Sequence, residues 1–189
     1  MQVEGLDLLP RSGPVLIAGN HDSNMDPVAI GVAALGRRQI RALAKSSLWE
    51  VRGLGPVLNG MGQIPIDRGK GDSGALDRAI EALRAGACIG VFPEGTRSLG
   101  RTLRPRGGIG RLAEAVPATK IVLATVTGTT DFARFPKRPR VGVRFSAPGD
   151  GDYRLGEDHG EFAARLIEEI RAGAPPIACG RRPRDPIAP

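Results

Sequence analysis

The sequence predicts an α/β protein, a single domain in which one mixed sheet is covered by helices. Three observations carry this expectation. Short apolar runs at 14–18, 39–44, 87–92 and 120–126 read as strands. Stretches with apolar residues at helical spacing lie between or after them, as in Leu76, Ile80 and Leu83, or Phe162, Leu166 and Ile170. Strands and helices alternate in this way through most of the chain. The 189 residues suit one domain with a substantial core. That domain is expected over 1–173, followed by a Pro- and Arg-rich tail, 174–189, expected to be disordered.

In chain order, residues 1–13 form a short entry segment. Its Leu6–Pro10 piece is amphipathic, and packing on the domain edge or touching a membrane are both open. Pro14–Ala18 reads as a buried strand. After the loop Asn20–Pro27 comes a helix over Val28–Leu35, with Asp26 as its N-cap and Pro27 at its first position, where a missing N–H costs nothing. Gln39–Ala44 is the second strand. Lys45 ends it, at the edge where open α/β sheets bind ligands, unless it is simply a solvated lysine. Ser46–Glu50 opens a short helix anchored by Trp49. Gly53–Gly62 is rich in glycine and apolar residues.

Gln63–Ile66 is a short strand whose proline suits an edge or a strand start. Asp67-Arg68 follows it. A guanidinium there would hold a phosphate through two parallel N–H bonds, while a surface Asp67–Arg68 pair is the plainer alternative. Asp72 or Ser73 caps the next helix, and Gly86 ends it. The strand 87–92 then delivers Pro93-Glu94-Gly95-Thr96-Arg97-Ser98, where Gly95 permits a tight turn. Glu94 and Arg97 converge at this strand end, either to line a polar pocket or to close the turn as a pair. Arg101, Arg104 and Arg106 cluster just beyond. A helix over 107–115, a strand over 120–126, a loop over 127–130 and an alternating strand over 140–146 follow. The last helix spans 157–172 and stops at Gly173; His159 in its first turn reads as a surface residue. There are no internal repeats.

The net charge is +7 and the pI about 10.4. This admits nucleic acid, anionic lipid or a phosphorylated substrate. No helix has a dense basic face, no zinc spacing occurs, and aromatic and basic residues do not interleave, so nucleic acid is the weakest of the three. Cys88 falls in a strand and Cys179 in the tail, which argues against a disulfide scaffold and fits a reducing cytoplasm. Neither a secretory leader nor an apolar run of membrane-spanning length is expected.

The central chemical signal is His21-x4-Asp26. On one helix this spacing would put the side chains on different faces; across a strand–loop–helix turn they can meet. A carboxylate on one imidazole nitrogen fixes the tautomer and leaves the other nitrogen free to accept a substrate proton. From the turn alone, a helix cap at Asp26 and a polar loop residue at His21 remain the alternative.

His21-x4-Asp26 together with Phe92-Pro93-Glu94-Gly95-Thr96-Arg97-Ser98 resembles the glycerolipid acyltransferase family, which includes the 1-acylglycerol-3-phosphate acyltransferases. Ile64–Arg68 resembles a further family block that ends in arginine, and Val116–Val126 falls where a looser fourth block lies. The resemblance covers roughly residues 12–130 and implies the same α/β architecture. It implies an O-acyltransferase moving a fatty acyl group from acyl-CoA or acyl carrier protein to a lysophospholipid hydroxyl, with 1-acylglycerol 3-phosphate as acceptor and no metal or other cofactor. His21 would be the base and Asp26 its orienting partner. Arg68, with Lys45, would hold the acceptor phosphate, and Glu94, Gly95, Thr96 and Arg97 would shape the glycerol site. Gly53–Gly62 would line an acyl groove or form an ordinary packed loop. The protein would work peripherally at an anionic membrane, on the cytoplasmic face. Glycerol 3-phosphate or another lyso-lipid as acceptor, water as acceptor in a thioesterase, and a non-catalytic lipid-binding protein are the alternatives.

Overall fold

The computed structural model describes residues 1–67, 73–131 and 140–177. Within them lies one seven-stranded mixed sheet with helices on both faces. The strands are β1 (Gln2–Glu4), β2 (Val15–Gly19), β3 (Ile40–Lys45), β4 (Ile64–Ile66), β5 (Cys88–Val91), β6 (Lys120–Thr127) and β7 (Gly142–Ser146). Their spatial order is β1-β7-β6-β2-β5-β3-β4. Only the β6–β7 pair is antiparallel. The helices are α1 (Asp26–Ala33), α2 (Leu54–Gly60), α3 (Ser73–Arg84), α4 (Gly108–Ala115) and α5 (His159–Gly173).

β2 is the central strand. All five of its residues are buried, as expected of a parallel strand covered on both faces. Alternation along it divides the core. Leu16 and Ala18 face a layer built from α3, α4 and α5, with Leu83, Ile109, Leu112, Phe162, Leu166 and Ile170 fully enclosed. Val15 and Ile17 face α1 and the entry segment, where Leu9, Ala34, Cys88 and Phe145 pack. Leu76 and Ile80, expected in the core, flank a line of buried small residues, Ala75, Ala79 and Ala82. α4 and α5 approach closely: a Cβ at Gly110 would lie 2.7 Å from His159 Cα.

Several local expectations change. Of the two readings left open for the entry segment, the fold takes packing on the domain edge: β1 pairs with β7, and Leu9 is fully buried. Arg37 and Arg38, just past α1, hold it by donating to the carbonyls of Leu9 and Pro10. The stretch Gly53–Gly62 holds the helix α2, Leu54–Gly60, and is not a plain loop. Gly173 is the last residue of α5 and not its stop. Ala174 caps the helix outside helical geometry, at φ −142 and ψ 78, because it precedes Pro175, whose ring disfavours helical geometry before it. Ser46–Glu50 and Thr129–Asp131 are short 3-10 helices. Arg68 lies outside the described residues, as does the tail from 178. Among the described residues no helix is long and apolar enough to cross a membrane.

Candidate active site

The C-terminal ends of the parallel strands gather the polar residues, as open α/β sheets favour. β2 leads into His21, β5 into Glu94, and β3 ends on Lys45. Where β2 ends, the Asn20 side chain takes over the ladder. Its amide donates to the Val126 carbonyl at 2.9 Å and accepts the Val126 N–H at 2.8 Å. The backbone is thereby released to turn, and His21 stands at the strand mouth.

His21 and Asp26 meet across this turn, with Nδ1 3.1 Å from Asp26 Oδ2. Asp26 is fully buried. Its Oδ2 also accepts the N–H groups of Asp22 and Ser23, each at 2.7 Å, and its Oδ1 accepts the Thr129 hydroxyl. Asp26 is therefore not the N-cap of α1: it is the first helical residue, and Met25 stands at the cap. Its carboxylate turns back and closes the loop that carries His21. Beside a carboxylate Nδ1 donates, and in the neutral imidazole this leaves Nε2 as the acceptor. Among the described residues Nε2 has no hydrogen-bond partner. The ring stacks on Phe92, centroids 4.4 Å apart and planes at 24°.

Glu94 does not pair with Arg97. It is 3% exposed, and its Oε2 accepts the His21 N–H at 2.8 Å. Its two oxygens take Arg171 Nη2, both at 2.7 Å. Arg171 also donates from Nη1 to Asp22 Oδ2 at 2.8 Å. Asp22 in turn accepts the Ser98 hydroxyl, and the Ser98 N–H donates to the His21 carbonyl at 2.7 Å. Burial pushes the Asp22 carboxyl up. Hydrogen bonds from Arg171 and Ser98, the Arg171 charge and a bond from Asn20 outweigh this and hold it below its ordinary 3.8. A carboxyl lowered on folding stabilises the fold above its unfolded value, and that stability is lost as pH falls through the folded value. Stability is therefore expected to decline below about pH 4, with Asp22→Asn flattening the decline; urea unfolding at a series of pH values measures it.

Gly95 adopts φ 70 and lies under Arg106, whose Cδ would be 2.8 Å from a Cβ there. Thr96 is exposed and Arg97 half-buried in the same turn, and Lys45 is exposed at the end of β3. A cleft of about 810 Å³ opens on the α3–α4 face of this edge, with Leu43, Ile66, Leu76, Val91, Phe92 and Ile109 as apolar lining. His159 borders it, bonded through Nε2 to Glu114 at 2.9 Å, so this histidine is part of a cleft wall and not a plain surface residue. No residue of Gly53–Gly62 lines the cleft. Cys88 is buried, and burial pushes its thiol up to about 12. It stays a thiol at neutral pH, without nucleophilic character. Among the described residues no cluster of His, Cys, Asp and Glu could hold a metal ion.

The model of the Acyltransferase family matches residues 1–128. The chain belongs to the acyltransferase family. Relatives of this acyltransferase include the 1-acyl-sn-glycerol-3-phosphate acyltransferase of Bacillus subtilis, 26% identical over 78% of the chain and 83% of the relative. The protein of that name from Borreliella burgdorferi is 34% identical over 69% of the chain and 52% of the relative. Among solved structures, the 1-acyl-sn-glycerophosphate acyltransferase PlsC from Thermotoga maritima superposes with a TM-score of 0.68 at 22% identity, covering 91% of the chain and 69% of that protein. The shared fold extends beyond residue 128 of the acyltransferase, where the family match ends.

Arg171 and Thr129 were not among the residues singled out in sequence. Arg171 follows Glu168 and Glu169 and borders the apolar stripe of its helix, where an arginine ordinarily reaches for solvent, so nothing local signals its role. Thr129 falls in a stretch with only loop character.

Proposed function

We propose that this acyltransferase moves a fatty acyl group from a thioester, on CoA or acyl carrier protein, to the free hydroxyl of 1-acylglycerol 3-phosphate, giving phosphatidic acid. The observation that carries this is the His21–Asp26 pair at 3.1 Å, held with Nε2 unengaged, in a family member whose relatives carry that activity in their names. Nε2 accepts the hydroxyl proton as the acceptor oxygen attacks the thioester carbonyl. Asp26 stabilises the imidazolium that forms. When the tetrahedral intermediate collapses, the C–S bond breaks and the imidazolium returns its proton to the departing sulfur. The ester and a free thiol are the products. Phe92 both stacks on His21 and lines the cleft beside Leu43, Leu76 and Val91, so an acyl chain on that apolar part of the wall would place its thioester end beside the base. In this account Arg68 and Lys45 hold the acceptor phosphate, and Gly95, Thr96 and Arg97 border the glycerol portion. Glu94 contributes through the His21 backbone.

The protein works peripherally, at the anionic inner face of a cell membrane. Leu99 is 46% exposed and is the one non-glycine at positive φ among the described residues. It stands between Arg97 and Arg101, whose guanidiniums have no partner among the described residues. Val28, Val32 and Leu35 are exposed at helical spacing along α1 and just past its end. An apolar tip beside unpaired arginines suits anionic lipid, where each arginine adds about 1 kcal/mol. Sedimentation with phosphatidylglycerol vesicles should weaken in high salt and in Leu99→Asp. Equal binding to neutral vesicles would contradict this docking mode.

The acceptor is tested by following thiol release from acyl-CoA, and separately from acyl carrier protein, with a panel of acceptors. Release driven by 1-acylglycerol 3-phosphate above glycerol 3-phosphate and a zwitterionic lyso-lipid supports the proposal. Release driven best by glycerol 3-phosphate moves the acceptor to the water-soluble substrate.

A further inference from the structure

Arg171 lies on α5, beyond the last residue of the family match. Its guanidinium spans two buried carboxylates. Nη1 and Nη2 donate to Asp22 at 2.8 and 3.1 Å. Nη2 and Nε donate to Glu94 at distances from 2.7 to 3.2 Å. Both carboxylates lead to His21 by separate routes. Glu94 accepts the His21 N–H. Asp22 accepts the Ser98 hydroxyl, and Ser98 N–H binds the His21 carbonyl. The peptide groups on either side of His21 are thus fixed, and each fixture ends on one guanidinium.

We propose that Arg171 is a positioning residue for acyl transfer: it clamps Asp22 and Glu94 together and so sets where the His21 imidazole stands. The ring is oriented by Asp26, but the backbone that carries the ring is oriented by Arg171. Asp22 and Glu94 are both acidic and both buried. Without a cation between them they would repel and drag the strand-end loops apart. A planar fork serves two carboxylates at once, which the single point charge of a lysine does not reproduce. The position also suits a cation, since Arg171 lies in the last turn of α5, at the negative end of the helix dipole. The Arg171 side chain is 11% exposed, and its remaining bond goes to the Ala174 carbonyl at 3.0 Å. It therefore serves the site from behind, without reaching a substrate.

This role rests on His21 being the base, and the test separates the two. Arg171→Lys, Arg171→Ala and His21→Ala are made in the full chain. Acceptor-dependent thiol release gives kcat and KM, and thermal melts report the fold. In Arg171→Ala, kcat is expected to fall by about tenfold to a hundredfold, the scale of an ångström-sized misplacement. KM for acceptor and donor should hold within about threefold, since substrate contacts are untouched. Arg171→Lys should recover only part of the rate. Added methylguanidinium should restore turnover to Arg171→Ala, and methylammonium should not. A structural role alone would lower the melting temperature and leave kcat native in the folded variant. If Arg171→Ala does not fold, Arg171→Lys carries the test, and native kcat in that variant overturns the proposal. A His21→Ala protein with native rate would instead show that the base has been misassigned, whatever the Arg171 variants do.

Discussion

His21→Ala is expected to fold as the native protein does and to lose acyl transfer by about 10²–10⁴-fold, the usual contribution of a general base. The fold should survive because the loop does not depend on the imidazole. Asp26 Oδ2 keeps the N–H groups of Asp22 and Ser23, and the His21 backbone keeps Glu94 and Ser98. What disappears is the stack on Phe92 and the acceptor nitrogen. Steady-state thiol release beside a thermal melt checks both halves. A variant that folds and retains near-native kcat would remove His21 from the chemistry.

Asp26→Asn is expected to cost about as much in kcat, up to roughly 10⁴-fold where a carboxylate serves a histidine base in this way. It should spare most of the stability. Asparagine keeps an oxygen for the two loop N–H groups, and its amide can donate to Thr129 Oγ1, whose hydroxyl now donates to Asp26. It cannot supply the negative charge that balances an imidazolium. Asp26→Ala should behave differently. It strips the acceptor from two buried N–H groups, at about 1–3 kcal/mol each, and so unfolds the site as well as silencing it. Catalytic loss in Asn without the stability loss of Ala identifies the charge, and not the loop closure, as what the reaction uses. Equal loss of stability in both would mean that Asp26 acts only on the fold.

The sheet was legible because buried parallel strands are short apolar runs and little else in this chain resembles them. β2, β3, β5 and β6 fall within a residue or so of their expected bounds. The His21–Asp26 pair was legible for a related reason: a strand end and a helix start are both local signals, and the distance between them is short. The role of Asp26 as an N-cap was misjudged because capping propensity does not tell which way a carboxylate turns. The partner of Glu94 was illegible in principle. Arg171 is 77 residues away from it and stands at the flank of the buried stripe of α5, one turn after Ile167, where a long charged side chain ordinarily reaches for solvent. Only the packing of α5 over the sheet, where a Cβ at Gly173 would lie 3.3 Å from the Thr125 side chain, brings the guanidinium down onto the loops. Glu94, read from sequence as lining a polar pocket with Arg97, turns inward to the His21 N–H and to Arg171.

The most direct test of the central claim is a stoichiometry. Purified protein is given a long-chain acyl-CoA or acyl carrier protein, with and without 1-acylglycerol 3-phosphate, and released thiol is counted against phosphatidic acid formed. One phosphatidic acid per thiol, with no release in the absence of acceptor and at least a roughly hundredfold slower release from His21→Ala, is the predicted result. Thiol release matched by free fatty acid, or no release from either donor with any lyso-lipid, would contradict it.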